Sequence, residues 1–262
     1  MESISTVVFI GAGNLATNLA MALHGIGINI IQIVSRSIYS SKILAEKLTT
    51  DYTNNLSEIN QNADLYIISV TDTALADISF KLRLKNKIVV HTSGTLEMNI
   101  LTSISENVGV FYPIQTFSKF EIINFSNIPI CIESNSKSVE FILLNLAKKI
   151  SGNVNLISSD QRKTLHISAV FASNYTSFMY LIANEIVKEN SLDFNLLLPL
   201  IERTAAKLQT HKPEEAITGP SRRNDTEIIK KHLDFLKSKP NYYKIYKLLS
   251  NNIINHFYDT NL

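Results

Sequence analysis

The stretch "TVVFIGAGNLATNLAMALHG", residues 6–25, constrains the fold more than any other part of the chain. Thr6–Gly11 is a short β-branched and aromatic run of the kind buried in parallel sheets, and it leads directly into Gly11-Ala12-Gly13. Leu15, Leu19, Ala22 and Leu23 then recur at helical spacing until Gly25. The reading is strand, glycine turn, helix. In the pattern G-x-G-x-x-A, Gly11 permits the tight turn, Gly13 leaves room for a pyrophosphate to approach the backbone, and Ala16 keeps helix and strand close. The helix N-terminus offers free N–H groups to an anion. Small residues also pack helices onto sheets without any ligand, so the flanking structure decides between the two readings.

The next segment favours a dinucleotide. Ile28–Ser37 reads as a second strand, and an NAD site would place an Asp or Glu at its end for the ribose hydroxyls. This chain has Ser35-Arg36-Ser37 there, which suits a 2′-phosphate and predicts NADP as cofactor. Further strands are expected at Leu65–Val70, Lys87–Thr92, Val108–Tyr112 and Ile128–Glu133, with helical or polar segments between them. This alternation predicts an α/β fold with a Rossmann-like, doubly wound parallel sheet. Ligands of such sheets lie beyond the strands' C-terminal ends. The expected cofactor contacts are therefore Gly11, Gly13, Asn14, Leu15, Ser35, Arg36, Ser37, Val70 and Thr71. Thr92, Ser93, Gly94 and Gln115 become candidates for binding substrate. Hydroxyls in these loops also cap the following helices.

Beyond about residue 157 strand signals vanish. Asp160 is a candidate cap for a long helix from Gln161 to about Asn190, followed by helices near Asp193–Thr210, Asp225–Lys237 and Asn241–Phe257, the first of these kinked or delayed by Pro199. The expected domains are a Rossmann-like NADP-binding domain, 1–157, and an all-helical substrate and dimerisation domain, 158–262. The apolar faces of "FMYLIANEIV" and "FNLLLPLI" exceed what a four-helix domain buries, which predicts a homodimer through the C-terminal helices.

Composition excludes several partners. A formal charge of +2 comes from interspersed residues without a basic tail, so nucleic acid is not expected. The one cysteine, Cys131, reads as a small buried hydrophobe, and no Cys/His cluster has metal-ligand spacing. The start, Met1-Glu2-Ser3, has no positive region before its apolar run, and no apolar stretch is long enough to span a bilayer. A cytoplasmic protein bound to no membrane is expected.

Hydride transfer is the cofactor's own chemistry, so the protein must hold an acceptor carbon and handle one proton. At α-helical spacing His166, Val170, Ser173 and Ser177 share one face, with Asn174 at its edge. His166 is the candidate proton donor, because imidazole both gives and takes a proton near neutral pH, and Ser173 and Asn174 are candidates to orient the acceptor. The alternative is that these groups only satisfy helix packing. His91 ends a core strand and reads as a satisfied buried histidine.

The motifs "GAGNLA" (11–16), "SRS" (35–37), "HTSGT" (91–95), "FYPIQTFS" (111–118), "HISAVFASNY" (166–175) and "TGPSRRND" (218–225) together resemble a family of proposed NADP oxidoreductases. That family joins a Rossmann-like domain to a helical domain of unassigned function, and is similar at its N-terminus to pyrroline-5-carboxylate reductase and prephenate dehydrogenase. Arg222 and Arg223, after Gly219-Pro220, are candidates to clamp a substrate carboxylate or a cofactor phosphate, with Arg223 the candidate for substrate; the alternative is a solvated loop, and the resemblance favours function. Where the family has Arg-Gly-Asp, this chain has Arg223-Asn224-Asp225, and Asn tolerates a left-handed backbone nearly as Gly does. The expected function is an NADP-dependent oxidoreductase acting on a small polar carbonyl or imine compound. The alternative is a nucleotide-binding sensor or scaffold without turnover.

Overall fold

The computed structural model describes residues 4–258. The strands are β1 (Thr6–Ile10), β2 (Asn29–Val34), β3 (Asp51–Thr53), β4 (Leu65–Ile68), β5 (Ile88–His91), β6 (Asn107–Pro113), β7 (Ile130–Ser134) and β8 (Val154–Leu156). They form one sheet in the order β3-β2-β1-β4-β5-β6-β7-β8. The first six have the doubly wound dinucleotide-binding order, which reverses direction between β1 and β4. Adjacent strands are parallel except β6 and β7, which pair antiparallel with Phe111 opposite Ile132. The parallel sheet expected is present with one antiparallel exception, at this pair. A parallel return needs a crossover unit, and the connection from Pro113 to Ile130 contains no helix. The strands β3 and β8, three residues each, are too short to show a period in the sequence.

Helices α1 (Asn14–Gly25), α2 (Ile38–Leu48), α3 (Asp72–Lys81) and α4 (Lys137–Lys148) cover the sheet. Alternation along β1 divides the core between the two faces: Val7 and Phe9 pack with Leu19, Leu23, Leu44 and Leu143, whereas Val8 and Ile10 pack with Tyr66, Ile68 and Leu75. Each fully buried Val, Ile, Leu or Phe side chain contributes about 1.5–3 kcal/mol, so the two faces together hold the strand ends rigidly under the loops that matter.

Helix α5 (Ser159–Ala169) begins at a different cap from the one expected. Ser158 is the N-cap: its hydroxyl accepts from Gln161 N, and Gln161 Oε1 accepts from Ser158 N at 2.9 Å, a reciprocal capping box. Asp160 lies in the first turn, where its charge suits the helix dipole. The single long helix expected to run to Asn190 is interrupted by a π-helical turn, Val170–Tyr175, before α6 (Thr176–Glu189).

By its internal contacts the chain divides at Asn174/Tyr175 into two compact units. The expected boundary at 157/158 marks the end of the strands, since β8 closes at Leu156; compactness assigns α5 to the first unit. The second unit contains α6, α7 (Leu198–Lys207), α8 (Pro213–Ala216), α9 (Thr226–Phe235) and α10 (Pro240–Tyr258). Pro199 falls in the first turn of α7, after a 3-10 turn at Phe194–Leu197, so the α-helix proper starts late. Asp225 caps α9 by accepting from Ile228 N at 3.2 Å. Asn224 adopts φ +53°, ψ +39°, so the left-handed turn survives without the glycine. Among the described residues no helix is long and apolar enough to cross a membrane.

Candidate functional site

The turn after β1 is built by sterics at Gly11. Its φ of +122° is closed to other residues, and a Cβ there would lie 2.0 Å from the Ser69 carbonyl oxygen at the end of β4. Gly13 has a different role. Its backbone is extended, φ −83° and ψ −171°, and an added Cβ would meet nothing within 4 Å. The space above it belongs to a cavity of about 690 Å³ at the C-terminal edge of the sheet. Helix α1 starts at this cavity with no side chain capping it and no acidic residue in its first turn, which leaves its N–H groups to an anion.

Of the expected cofactor contacts, Gly11, Gly13, Asn14, Leu15, Ser35, Arg36, Val70 and Thr71 line this one cavity. Ser37 does not. It is the N-cap of α2, its hydroxyl accepting from Ser40 N at 3.2 Å, and Ser40 takes the place on the lining. Thr92 also lines the cavity and donates to Ser69 Oγ at 3.1 Å, joining the ends of β4 and β5. Asp72, at the start of α3, accepts a short hydrogen bond from Thr95 and ties the two loops together a second time. Lys81 and Lys119 add positive charge to the wall and Asp77 adds a carboxylate, three residues that the glycine-turn pattern does not reach.

Asn14 does more than stand at the helix start. Its Oδ1 accepts from Lys119 N at 3.1 Å. One turn on, the fully buried Asn18 donates to Ser118 O at 2.8 Å and accepts from Ile123 N at 3.1 Å. Two amides of the glycine-turn helix therefore hold the β6–β7 connection beside the cavity.

The loop His91–Gly94 and the strand end at Tyr112 meet on α5. Tyr112 Oη lies 2.9 Å from His166 Nδ1, and a Cβ on Gly94 would lie 2.4 Å from the same nitrogen. His166 thus packs directly on the Gly94 backbone. Burial, with the nearby Cys131 thiol, raises the Tyr112 hydroxyl pKa against the opposing pull of Arg162, so the phenol keeps its proton. The phenol and Nδ1 share one hydrogen bond, whose donor depends on which ring nitrogen carries the proton. The sequence places residue 112 at a strand end near the ligand loops, but nothing in it marks the hydroxyl as the partner of His166.

Beneath this pair lies a buried ion pair. Arg162 is fully buried and bonds Glu133 of β7, the Leu96 carbonyl and Ser159 Oγ; Ser159 in turn donates to Glu133 at 2.9 Å. Arg162 Nε is left without a hydrogen-bond partner, so the network is not fully satisfied; it fixes geometry more than it stabilises, and here it sets the first turn of α5 on the sheet edge. His91 is fully buried and accepts from Ser93 N at 3.1 Å through Nδ1; its Nε2 has no hydrogen-bond partner, so it is only half satisfied. Burial, reinforced by the Arg162 charge, pushes its pKa down to about 4, so it is neutral near pH 7.

Other candidates stand apart. The α-helical spacing on which His166, Val170, Ser173 and Ser177 are expected to share a face does not hold throughout, because Val170–Tyr175 is a π turn with i→i+5 spacing. Ser173 and Asn174 lie within that turn. Gln115 is exposed, with its Oε1 accepting from Thr116 N at 2.8 Å. Arg223 is exposed in the second unit, where Arg222 stacks on Phe257 with its guanidinium carbon 3.8 Å from the ring centroid. Cys131 is buried, and burial raises its pKa to about 11. Among the described residues no cluster of His, Cys, Asp or Glu could hold a metal ion.

Residues 2–115 match the Rossmann-like domain family, and residues 128–253 match a domain of unknown function, DUF2520. The solved structure of a "putative NADP oxidoreductase" from Bacteroides fragilis is 41% identical, with 96% of this chain and 98% of that one covered and a TM-score of 0.92. The chain belongs to the family that joins these two domains. No curated protein matches it. Two more distant structures resemble this family member in fold alone. A 1-pyrroline-5-carboxylate reductase from Streptococcus pyogenes is 15% identical (95% of this chain and 98% of that one covered, TM-score 0.66). An imine reductase from Myxococcus stipitatus, solved in complex with NADP+, is 16% identical (95% and 92% covered, TM-score 0.65).

Proposed function

We propose that this chain is an NADP(H)-dependent oxidoreductase that moves a hydride between the nicotinamide and a small polar carbonyl or imine compound. The observation that carries the reading is the cavity in which the open space over Gly13, the uncapped start of α1 and Arg36 line one surface. The name of the Bacteroides fragilis relative and the bound NADP+ of the imine reductase support it. The cofactor supplies the hydride chemistry. The protein holds the pyrophosphate on α1 at Gly13 and pairs the 2′-phosphate with Arg36 and Ser35, while Val70, Thr71 and Thr92 shape the wall at the ends of β4 and β5. His166, held by Tyr112 through Nδ1, is the proton donor in the reducing direction, giving up a proton as the imidazolium and returning to neutral imidazole. Ser93 and Gln115 are the first unit's candidates for holding substrate. A homodimer belongs to the same reading, supported by the exposed Phe178, Leu181, Leu196 and Leu200.

Titration of the wild type, Gly13→Val and Arg36→Ala with NADP+ and NAD+ tests the cofactor. NADP+ is expected to bind more tightly, and Arg36→Ala to remove about 1.5 kcal/mol of that preference. Gly13→Val is expected to fold, because nothing stands where its Cβ would be, yet to lose both cofactors. Equal wild-type affinities would refute the NADP assignment. NADPH oxidation across a panel of imines and carbonyl compounds then tests turnover, with His166→Gln expected to lower kcat about 10²–10⁴-fold at unchanged NADP affinity. Binding without turnover across the panel would favour the nucleotide sensor instead, and an unchanged kcat in His166→Gln would remove the histidine from the chemistry.

A further inference from the structure

Resting on the cofactor reading above, we propose that residues 117–123 form a fixed cover beside the start of α1, and that Lys119 supplies the cation for the dinucleotide pyrophosphate. The segment is long and has no helix, yet it is tied down at several points. Asn14 Oδ1 receives Lys119 N, and Asn18 holds both Ser118 O and Ile123 N. Phe117 stacks on Phe125 at 5.6 Å between centroids, and Phe117 packs against the core. Because both amides belong to the helix after the glycine turn, the cover and the phosphate-binding N–H groups move as one body.

The chemistry needs a cation there. A helix N-terminus presents about half an elementary charge, whereas a dinucleotide pyrophosphate carries a full negative charge on each phosphate. Arg36 stands at the end of β2, where the 2′-phosphate is expected, and Lys81 is the last residue of α3, the end of that helix away from the strand-end loop at Thr71, so neither supplies this charge. Lys119 lines the same cavity as Gly11 and Gly13, and among the described residues it makes no ion pair. Its ammonium lies 5.4 Å from the Phe120 ring centroid, a contact that leaves the charge available. The class of ligand is therefore a pyrophosphate diester, common to NADP and NAD, and the lysine does not discriminate between them.

The test measures dissociation constants of the full chain for NADP+, NAD+ and 2′-AMP, the last carrying the 2′-phosphate without a pyrophosphate. Lys119→Ala is expected to weaken NADP+ and NAD+ by the same factor, about tenfold, while leaving 2′-AMP unchanged. Lys119→Arg is expected to restore most of the loss. Arg36→Ala gives the opposite pattern, weakening NADP+ and 2′-AMP but not NAD+. Unchanged affinities in Lys119→Ala would overturn the proposal, as would a loss confined to NADP+ and 2′-AMP. If instead the wild type binds neither dinucleotide, or Gly13→Val binds as the wild type does, the cofactor reading itself fails, and the proposal with it.

Discussion

Gly94→Ala is a one-carbon change whose cost can be worked out from the contact it makes. The added Cβ would lie 2.4 Å from His166 Nδ1, 2.6 Å from Cγ and 3.0 Å from Cβ. Because the clash reaches the histidine Cβ, a rotation of the ring in place does not relieve it. The side chain must leave its rotamer, and the hydrogen bond to Tyr112 goes with it. Overpacking of this kind costs about 1–3 kcal/mol and the lost hydrogen bond about 0.5–1.5 kcal/mol, offset by about 0.4–1 kcal/mol from the stiffer unfolded chain. The net is a loss of about 2 kcal/mol, read as a lower urea midpoint at unchanged slope. A double-mutant cycle isolates the contact: in a His166→Ala background the two closest contacts are gone and only the 3.0 Å approach to the Cβ at 166 remains, so Gly94→Ala should cost much less than in the wild type. Gly13→Ala is the internal control, since its Cβ meets nothing within 4 Å and should leave the midpoint nearly unmoved. An equal cost for Gly94→Ala in both backgrounds would show that the loss has nothing to do with His166.

Two further outcomes are expected. Asp64 loses solvation on burial, yet the N–H groups of Ser5 and Thr6 and the Ser5 hydroxyl outweigh this and bring its pKa to about 2 from 3.8. A depressed carboxylate pKa stabilises the fold above the unfolded value and loses that contribution as pH falls through the folded one. Asp64→Asn should therefore cost about 1 kcal/mol at pH 7, after discounting for its exposure, and almost nothing near pH 2; a gap that persists at pH 2 would refute this. Sedimentation at micromolar concentration should give twice the chain mass, since Phe178, Leu181, Leu196 and Leu200 are left 46–69% exposed, and a monomer would remove the homodimer.

What was legible in the sequence is what local physics determines. The run from Thr6 to Gly25 specifies a buried strand, a turn that only Gly11 can make, and a helix, because propensity and the backbone restriction act within a few residues. The order of the first six strands reflects repeated crossovers, and the same rule explains the antiparallel exception at β6–β7, where no helix carries the chain back. The Ser158–Gln161 capping box is also present in the sequence, three residues apart, beside Asp160, which competes with it as a cap by residue type alone.

The site was legible only in part. Each βα loop could be assigned to the sheet edge one at a time, but which loops touch is a matter of distance through space. Tyr112 and His166 are 54 residues apart, and nothing periodic in either segment announces their hydrogen bond. The same holds for Asn18, an apparently misplaced amide on an apolar helix that proves to hold a loop 100 residues later, and for Arg162 of α5, whose charge is tolerated inside because Glu133 arrives from β7. A π turn carries no clear sequence mark, so the α-helical spacing used to place Ser173 could not register it. Local hydrogen bonds and sterics are properties of neighbouring residues. A contact such as Tyr112–His166 is a property of the packed fold that brings distant residues together.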